Sequence, residues 1–112
     1  TETAMTATIL VLNGPNLNLL GVREPEIYGT STLKDIEALC HARAKTHGLA
    51  VEFRQTNSES ELIGWVQGAR GKMAGLIINP AAYTFTSIGL CDAIKMFDGP
   101  MIELHISNVH KR

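Results

Sequence analysis

The stretch Thr8-Ile9-Leu10-Val11-Leu12-Asn13-Gly14-Pro15-Asn16 decides how the rest of the chain is read. Its apolar part is continuous rather than alternating, the pattern of a parallel strand covered on both faces. It then breaks into Asn-Gly-Pro-Asn, residues that turns are made of. Gly75-Leu76-Ile77-Ile78 followed by Asn79-Pro80 has the same form, and Leu49-Ala50-Val51-Glu52-Phe53 and Met101-Ile102-Glu103-Leu104 predict two further strands. Three helix-like segments lie between these runs. The first is capped by Thr32, with Asp35 three residues on, and is closed by Gly48; its apolar side is Leu33, Ile36, Leu39 and Cys40. The second runs from about Ser58 to Arg70 on Leu62, Ile63, Val66 and Ala69. The third starts near Ser87, uses Ile88, Cys91, Ile94 and Phe97, and stops at Asp98-Gly99-Pro100.

Strand and helix alternate at a spacing that calls for parallel strands joined by helical crossovers. The fold class is therefore α/β, a doubly wound parallel sheet of the flavodoxin-like group. At 112 residues the chain is one domain, spanning 1–112, with no repeat or linker. Three helices on four strands leave one flank of the sheet short of cover, which a partner subunit or further chain would supply.

Composition narrows the class of function. Ten Lys and Arg against eleven Asp and Glu argue against a nucleic-acid-binding face. Cys40 and Cys91, far apart within helical patterns, read as reduced core residues rather than a disulfide framework. The apolar stretch 7–12 is far too short to cross a membrane, and the first residues lack the pattern of a secretory signal, so the expected location is the cytoplasm.

In an open parallel sheet, ligands bind beyond the carboxyl ends of the strands. Here those ends run into Asn13-Gly14-Pro15-Asn16, Gln55-Thr56-Asn57, Asn79-Pro80 and His105-Ile106-Ser107-Asn108. Any one such Asn is explained by turn chemistry. All four together, with a histidine, predict a polar pocket that reads hydroxyl and carboxylate groups. The first loop is neither G-x-G-x-x-G nor a P-loop, so dinucleotide and nucleotide readings have no motif. His41 and His47 read as solvated helix residues, His110 as part of a charged tail, and no metal-ligand spacing occurs.

The segment Gly21-Val22-Arg23-Glu24-Pro25-Glu26-Ile27-Tyr28-Gly29 is charged and bounded by glycines, as a mobile lid would be. It carries Arg23 five residues before Tyr28. A tyrosine titrates near pH 10 and is a poor base unless a neighbouring cation stabilises the phenolate. Bringing it to neutral pH requires roughly 4 kcal/mol of differential stabilisation, a demand a close guanidinium in a water-poor site can largely meet. The plainer reading is an exposed loop with Arg23 paired to Glu24 or Glu26. Glu103 and His105, two apart on a strand, share a face, so the carboxylate could hold a protonated imidazole ready as a general acid. The plainer reading there is a histidine that ends the strand.

Four ordered stretches then carry a resemblance. Leu12-Asn13-Gly14-Pro15-Asn16-Leu17-Asn18-Leu19-Leu20-Gly21 with Arg23-Glu24-Pro25 and Tyr28-Gly29 resembles the N-terminal signature of type II 3-dehydroquinate dehydratases. Gln55-Thr56-Asn57-Ser58-Glu59, Ile78-Asn79-Pro80-Ala81-Ala82-Tyr83-Thr84 and Ile102-Glu103-Leu104-His105-Ile106-Ser107-Asn108-Val109-His110 resemble the later signatures, in order. The resemblance implies a cofactor-free, metal-free lyase that converts 3-dehydroquinate to 3-dehydroshikimate by anti elimination through an enolate. It implies service in the shikimate route or in quinate breakdown, and a homo-oligomer, usually a dodecamer built from trimers. It assigns the base to Tyr28, activated by Arg23, enolate stabilisation through an ordered water to Asn16, and the general acid to His105, supported by Glu103. It gives contacts with substrate hydroxyls and carboxylate to Asn79, Ile106 and Ser107, and a reach into a neighbouring subunit's site to Asp92. Phe85 stands where the family commonly has a substrate-binding histidine. The family also continues past the position of Arg112 through a substrate-binding arginine, a strand and a helix, which residues 1–112 lack. These two departures motivate the alternative of a catalytically weakened homologue that binds a dehydroquinate-like ligand or serves as an assembly subunit. A flavodoxin-like flavin or phosphate binder is disfavoured because the first loop has no Ser/Thr/Gly-rich cradle.

Overall fold

The computed structural model describes residues 6–19, 31–81 and 88–104. Strand β1 (Thr8–Asn13) is followed by helix α1 (Leu33–Thr46), β2 (Ala50–Gln55), α2 (Glu59–Ala69), β3 (Gly75–Asn79), α3 (Ile88–Lys95) and β4 (Met101–Glu103). The sheet order is β2-β1-β3-β4, and all three pairings are parallel. Among the described residues the predicted α/β architecture, four strands with three α-helices, is the one observed.

Strand β1 lies inside the sheet, which explains its unbroken apolar run. Leu10, Val11 and Leu12 are all buried, so both faces of this strand are covered. Leu10 pairs with Leu76 and Leu12 with Ile78, and this face packs against Leu62, Val66 and Ala69 of α2 and Leu90 and Ala93 of α3. Strand β4 is the edge on the far side. Met101, Ile102, Glu103 and Leu104 are all exposed there, although the Leu104 N–H donates to the Ile78 carbonyl oxygen at 2.8 Å.

The helix starts follow their caps. Thr32 Oγ1 accepts from the Asp35 N–H at 3.2 Å, while Asp35 Oδ2 accepts from the Thr32 N–H at 2.9 Å, a reciprocal pair that satisfies two orphan donors. Ser58 Oγ accepts from the Glu61 N–H at 3.1 Å at the start of α2. Gly48 ends α1 with φ 71°, a left-handed conformation that glycine adopts without strain.

Two expected faces are corrected. On α1 the predicted apolar side is largely unburied: Leu39 is 69% exposed and Leu33, Ile36 and Cys40 are half-buried, because this helix lies against the edge strand β2. On α3 the buried pair is Leu90 and Ala93, with Ile94 and Phe97 partly buried, and Cys91 is exposed. The stripe 90, 93, 94, 97 follows helical spacing and is displaced from the stripe through Cys91. Neither cysteine is therefore a core residue. Burial, and secondarily the nearby Glu37 charge, push the Cys40 thiol pKa up, so the half-buried sulfur holds its proton more firmly than an exposed one.

Leu62 is 0% exposed and sits at the centre of the main core cluster. Leu62→Ala is expected to lower the unfolding free energy by about 3 kcal/mol in a urea titration, because the methyl groups lost leave a cavity. A loss below about 1 kcal/mol would mean that α2 does not anchor this core.

Candidate active site

The connection after β1 leads to one side of the sheet and the connection after β3 leads to the other. The strand order thus reverses between β1 and β3, and the crevice beyond their carboxyl ends is the place where such sheets bind ligands. Register puts Asn13 opposite both Gln55 and Asn79, so three amide side chains form one row across β2, β1 and β3 at this rim.

Backbone and side chains knit the row together. The Gly14 N–H donates to the Asn79 carbonyl oxygen at 2.8 Å, and the Thr56 N–H donates to the Asn13 carbonyl oxygen at 3.0 Å. Asn13 Nδ2, on a residue only 7% exposed, donates to the Arg54 carbonyl oxygen at 2.9 Å. Asn79 is buried as well, and its Oδ1 accepts from the Ala81 N–H at 3.1 Å, turning the chain sharply after β3. Gly14 makes that close approach possible: a Cβ there would lie 2.6 Å from the Pro80 carbonyl oxygen.

Asn16, in the loop after β1, is exposed and has φ 68°. Its N–H donates to Asn57 Oδ1 at 2.9 Å. Gln55 Nε2 donates to the Gly14 carbonyl oxygen at 3.1 Å and to Asn57 Oδ1 at 3.2 Å. Thr56, also buried, donates its hydroxyl to Glu61 and accepts from the Ser58 N–H at 3.0 Å. The rim predicted from Asn13, Asn16, Gln55, Asn57 and Asn79 is therefore one connected arrangement of neutral hydrogen-bonding groups. Such a surface suits a polar, hydrogen-bonding ligand without holding a net charge of its own.

A scan of family models matches residues 7–112 to Dehydroquinase class II. The chain belongs to the class II dehydroquinase family. It is 57% identical over 108 residues to 3-dehydroquinate dehydratase 2 of Pseudomonas aeruginosa, a match covering 96% of this chain and 73% of that protein. It is 55% identical over 113 residues to the 3-dehydroquinate dehydratase of Streptomyces avermitilis, covering 100% of this chain and 71% of that one. The crystal structure of the type II dehydroquinase from Propionibacterium acnes superposes with a TM-score of 0.90 at 46% identity, over 96% of this chain and 74% of that one. The flavodoxin-like reading of the sheet agrees with this dehydroquinase fold.

Among the residues predicted for a dehydroquinase site, Asn79 ends β3 opposite Asn13, and Asn16 lies in the loop after β1, tied to Asn57 of the loop after β2. Glu103 is opposite Ile78, one row behind the amide row and on the other face of the sheet. Asp92 is exposed on α3, outside the stripe that Leu90 and Ala93 bury. Arg23, Tyr28, Phe85, His105, Ile106 and Ser107 lie outside the described residues, as does His110. His41 Nε2 is 3.3 Å from Glu37 Oε2 on the exposed face of α1, and His47 is exposed at the C-terminal cap of that helix, as a solvated reading requires. Among the described residues no group of His, Cys, Asp and Glu could hold a metal ion, and no helix is long and apolar enough to cross a membrane. The bracing of the first loop by Gln55 and Asn57 is what reading the sequence missed. The two loops are far apart in the chain, and the only signal was the amide-rich Gln55-Thr56-Asn57 itself.

Proposed function

We propose that this chain dehydrates 3-dehydroquinate to 3-dehydroshikimate by anti elimination. The observation that carries the reading is the amide row at the β1–β3 switch point in a chain 57% identical to a protein named 3-dehydroquinate dehydratase 2. In this mechanism the Tyr28 phenolate, stabilised by the Arg23 guanidinium, takes a proton from the carbon between the ketone and the hydroxyl-bearing carbon. The C–H electron pair moves into the ketone to give an enolate, whose oxygen is stabilised by Asn16 through an ordered water. The enolate then collapses. The new double bond forms, the carbon–oxygen bond to the leaving hydroxyl breaks, and His105 protonates that hydroxyl so that it departs as water.

Each group matches a demand of the chemistry. A proton next to a ketone needs a base of adequate pKa and a neutral donor set for the enolate oxygen. Glu103 supports the protonated form of His105, and Asn79, Ile106 and Ser107 engage the hydroxyls and carboxylate of the substrate. Asp92, exposed on α3, is available to a neighbouring subunit's site in a homo-oligomer, proposed to be a dodecamer built from trimers. The proposed chemistry requires neither metal nor organic cofactor and is housed in a single domain. Its product would serve the shikimate route or quinate breakdown.

Elimination is tested with 3-dehydroquinate carrying deuterium stereospecifically at the carbon that loses its proton. Release of deuterium from the position anti to the hydroxyl, with retention from the syn position, is expected. Loss of the syn deuterium would overturn the proposed geometry. Phe85 supplies a second test, since a phenyl ring donates no hydrogen bond to a substrate hydroxyl. Phe85→His is expected to lower KM about tenfold, the worth of one restored hydrogen bond. An unchanged or raised KM would show that the pocket is built around the ring.

A further inference from the structure

We propose that Asn57, braced by Gln55, is a positioning residue that sets the conformation of Asn16 and thereby places the side chain that serves the enolate. The inference rests on the reading of Asn16 given above. Asn16 is in the left-handed region, at φ 68°. That conformation is uncommon for residues with a Cβ, asparagine being among those that adopt it most readily, and here its hydrogen bonds select it. Both backbone polar groups of Asn16 are held. Its N–H donates to Asn57 Oδ1 at 2.9 Å, and its carbonyl oxygen accepts from the Leu19 N–H at 3.0 Å.

The second of these bonds belongs to the short 3-10 turn Leu17–Leu19 and is local. The first comes from 41 residues away in sequence, on the loop after β2. It therefore fixes the Asn16 turn relative to the sheet rather than relative to itself. The acceptor is itself immobilised, because Asn57 Oδ1 also receives Gln55 Nε2 at 3.2 Å. Gln55 Nε2 reaches the Gly14 carbonyl oxygen at 3.1 Å and lies 3.5 Å from Asn18 Oδ1, so it spans the same loop on both sides of Asn16. Gln55 is the last residue of β2 and is in register with Asn13, which anchors the brace to the rigid ladder. The exposed Asn16 side chain is thus carried on a backbone whose direction is set by two side chains of the neighbouring strand's rim. Placement of a catalytic donor to within a fraction of an ångström is what such a brace provides.

A residue that acts only through Asn16 must lose its effect when the Asn16 side chain is gone. Asn57→Ala is expected to lower kcat about tenfold with KM changed less than about twofold, the signature of an interaction made chiefly in the transition state. In an Asn16→Ala background the same substitution should change kcat by less than about twofold. An equal fall in both backgrounds would overturn the proposal and make Asn57 a general structural residue. Amide hydrogen exchange of the full chain, followed by NMR, supplies a readout independent of turnover. The Asn16 N–H should be protected in the parent and exchange about tenfold faster or more in Asn57→Ala, with the amides of β1 unchanged. Unchanged exchange at Asn16 would contradict the brace. A parent protein that does not turn over 3-dehydroquinate would instead overturn the role given to Asn16, and with it the catalytic part of the inference.

Discussion

Tyr28→Phe is expected to lower kcat for 3-dehydroquinate by about 10³-fold or more while leaving the thermal unfolding transition in place, because general-base removal of the proton depends on one oxygen atom. The substitution keeps the ring and removes only the hydroxyl, so substrate binding should be largely retained and the loss should fall on kcat. The role of Arg23 gives a companion result with a definite sign. In the proposed mechanism the reactive form of Tyr28 is the phenolate, and a cation placed beside a tyrosine lowers the pH at which its phenolate forms. Removing that cation in Arg23→Ala should move the rising limb of the kcat/KM profile to higher pH, toward the ordinary tyrosine range near 10. Near-parent rates in Tyr28→Phe would remove Tyr28 from the mechanism. A rising limb that stays put in Arg23→Ala would detach Arg23 from the tyrosine.

Gly14→Ala is expected to cost about as much stability as Leu62→Ala and to lower activity as well. The added Cβ would lie 2.6 Å from the Pro80 carbonyl oxygen, 2.9 Å from its carbonyl carbon and 3.2 Å from the Asn79 carbonyl oxygen. All three are backbone atoms, so no flexible side chain can swing aside. Relief requires the loops after β1 and β3 to part, stretching the 2.8 Å bond from the Gly14 N–H to Asn79. We expect a loss of about 3 kcal/mol in urea unfolding, in the range of overpacking against an unyielding neighbour. The same parting opens the crevice that the amide row lines, so kcat/KM should fall with stability. A loss under about 0.5 kcal/mol would mean that the two loops do not meet as described.

Much of the fold was legible because local chemistry and global placement agree. The unbroken apolar run through Leu12 announced a strand covered on both faces, and Leu10, Val11 and Leu12 are all buried. Thr32 with Asp35 acts as a cap where its spacing placed it, and Ser58, near which the second helix was expected to start, caps α2 through the Glu61 N–H. The end of β2 was set too early, at Phe53, because Arg54 and Gln55 are polar. Their backbones nevertheless continue the ladder to Leu12 and Asn13. The face of α3 differs from the expected one for a different reason. In a helix of 8 residues several stripes satisfy the apolar spacing, and packing chooses among them. A Cβ on Gly89 would lie 3.2 Å from Ile63 Cδ1, so the close approach of α3 to α2 runs beside Leu90 and Ala93 rather than through Cys91.

The site was legible as a set of residue types rather than as a network. Amides at the strand ends marked the rim, and the row of Gln55, Asn13 and Asn79 follows from the register. Which amides hold the loops and which face a ligand depends on contacts between distant segments, as between Asn16 and Asn57, and no spacing along the chain encodes those.

The proposed dehydration is tested most directly by turnover of 3-dehydroquinate by the purified protein, followed by the rise in ultraviolet absorbance of the conjugated enone. Catalytic formation of 3-dehydroshikimate is expected, persisting in the presence of a metal chelator and without added cofactor. A folded protein that binds 3-dehydroquinate yet forms no enone would contradict it.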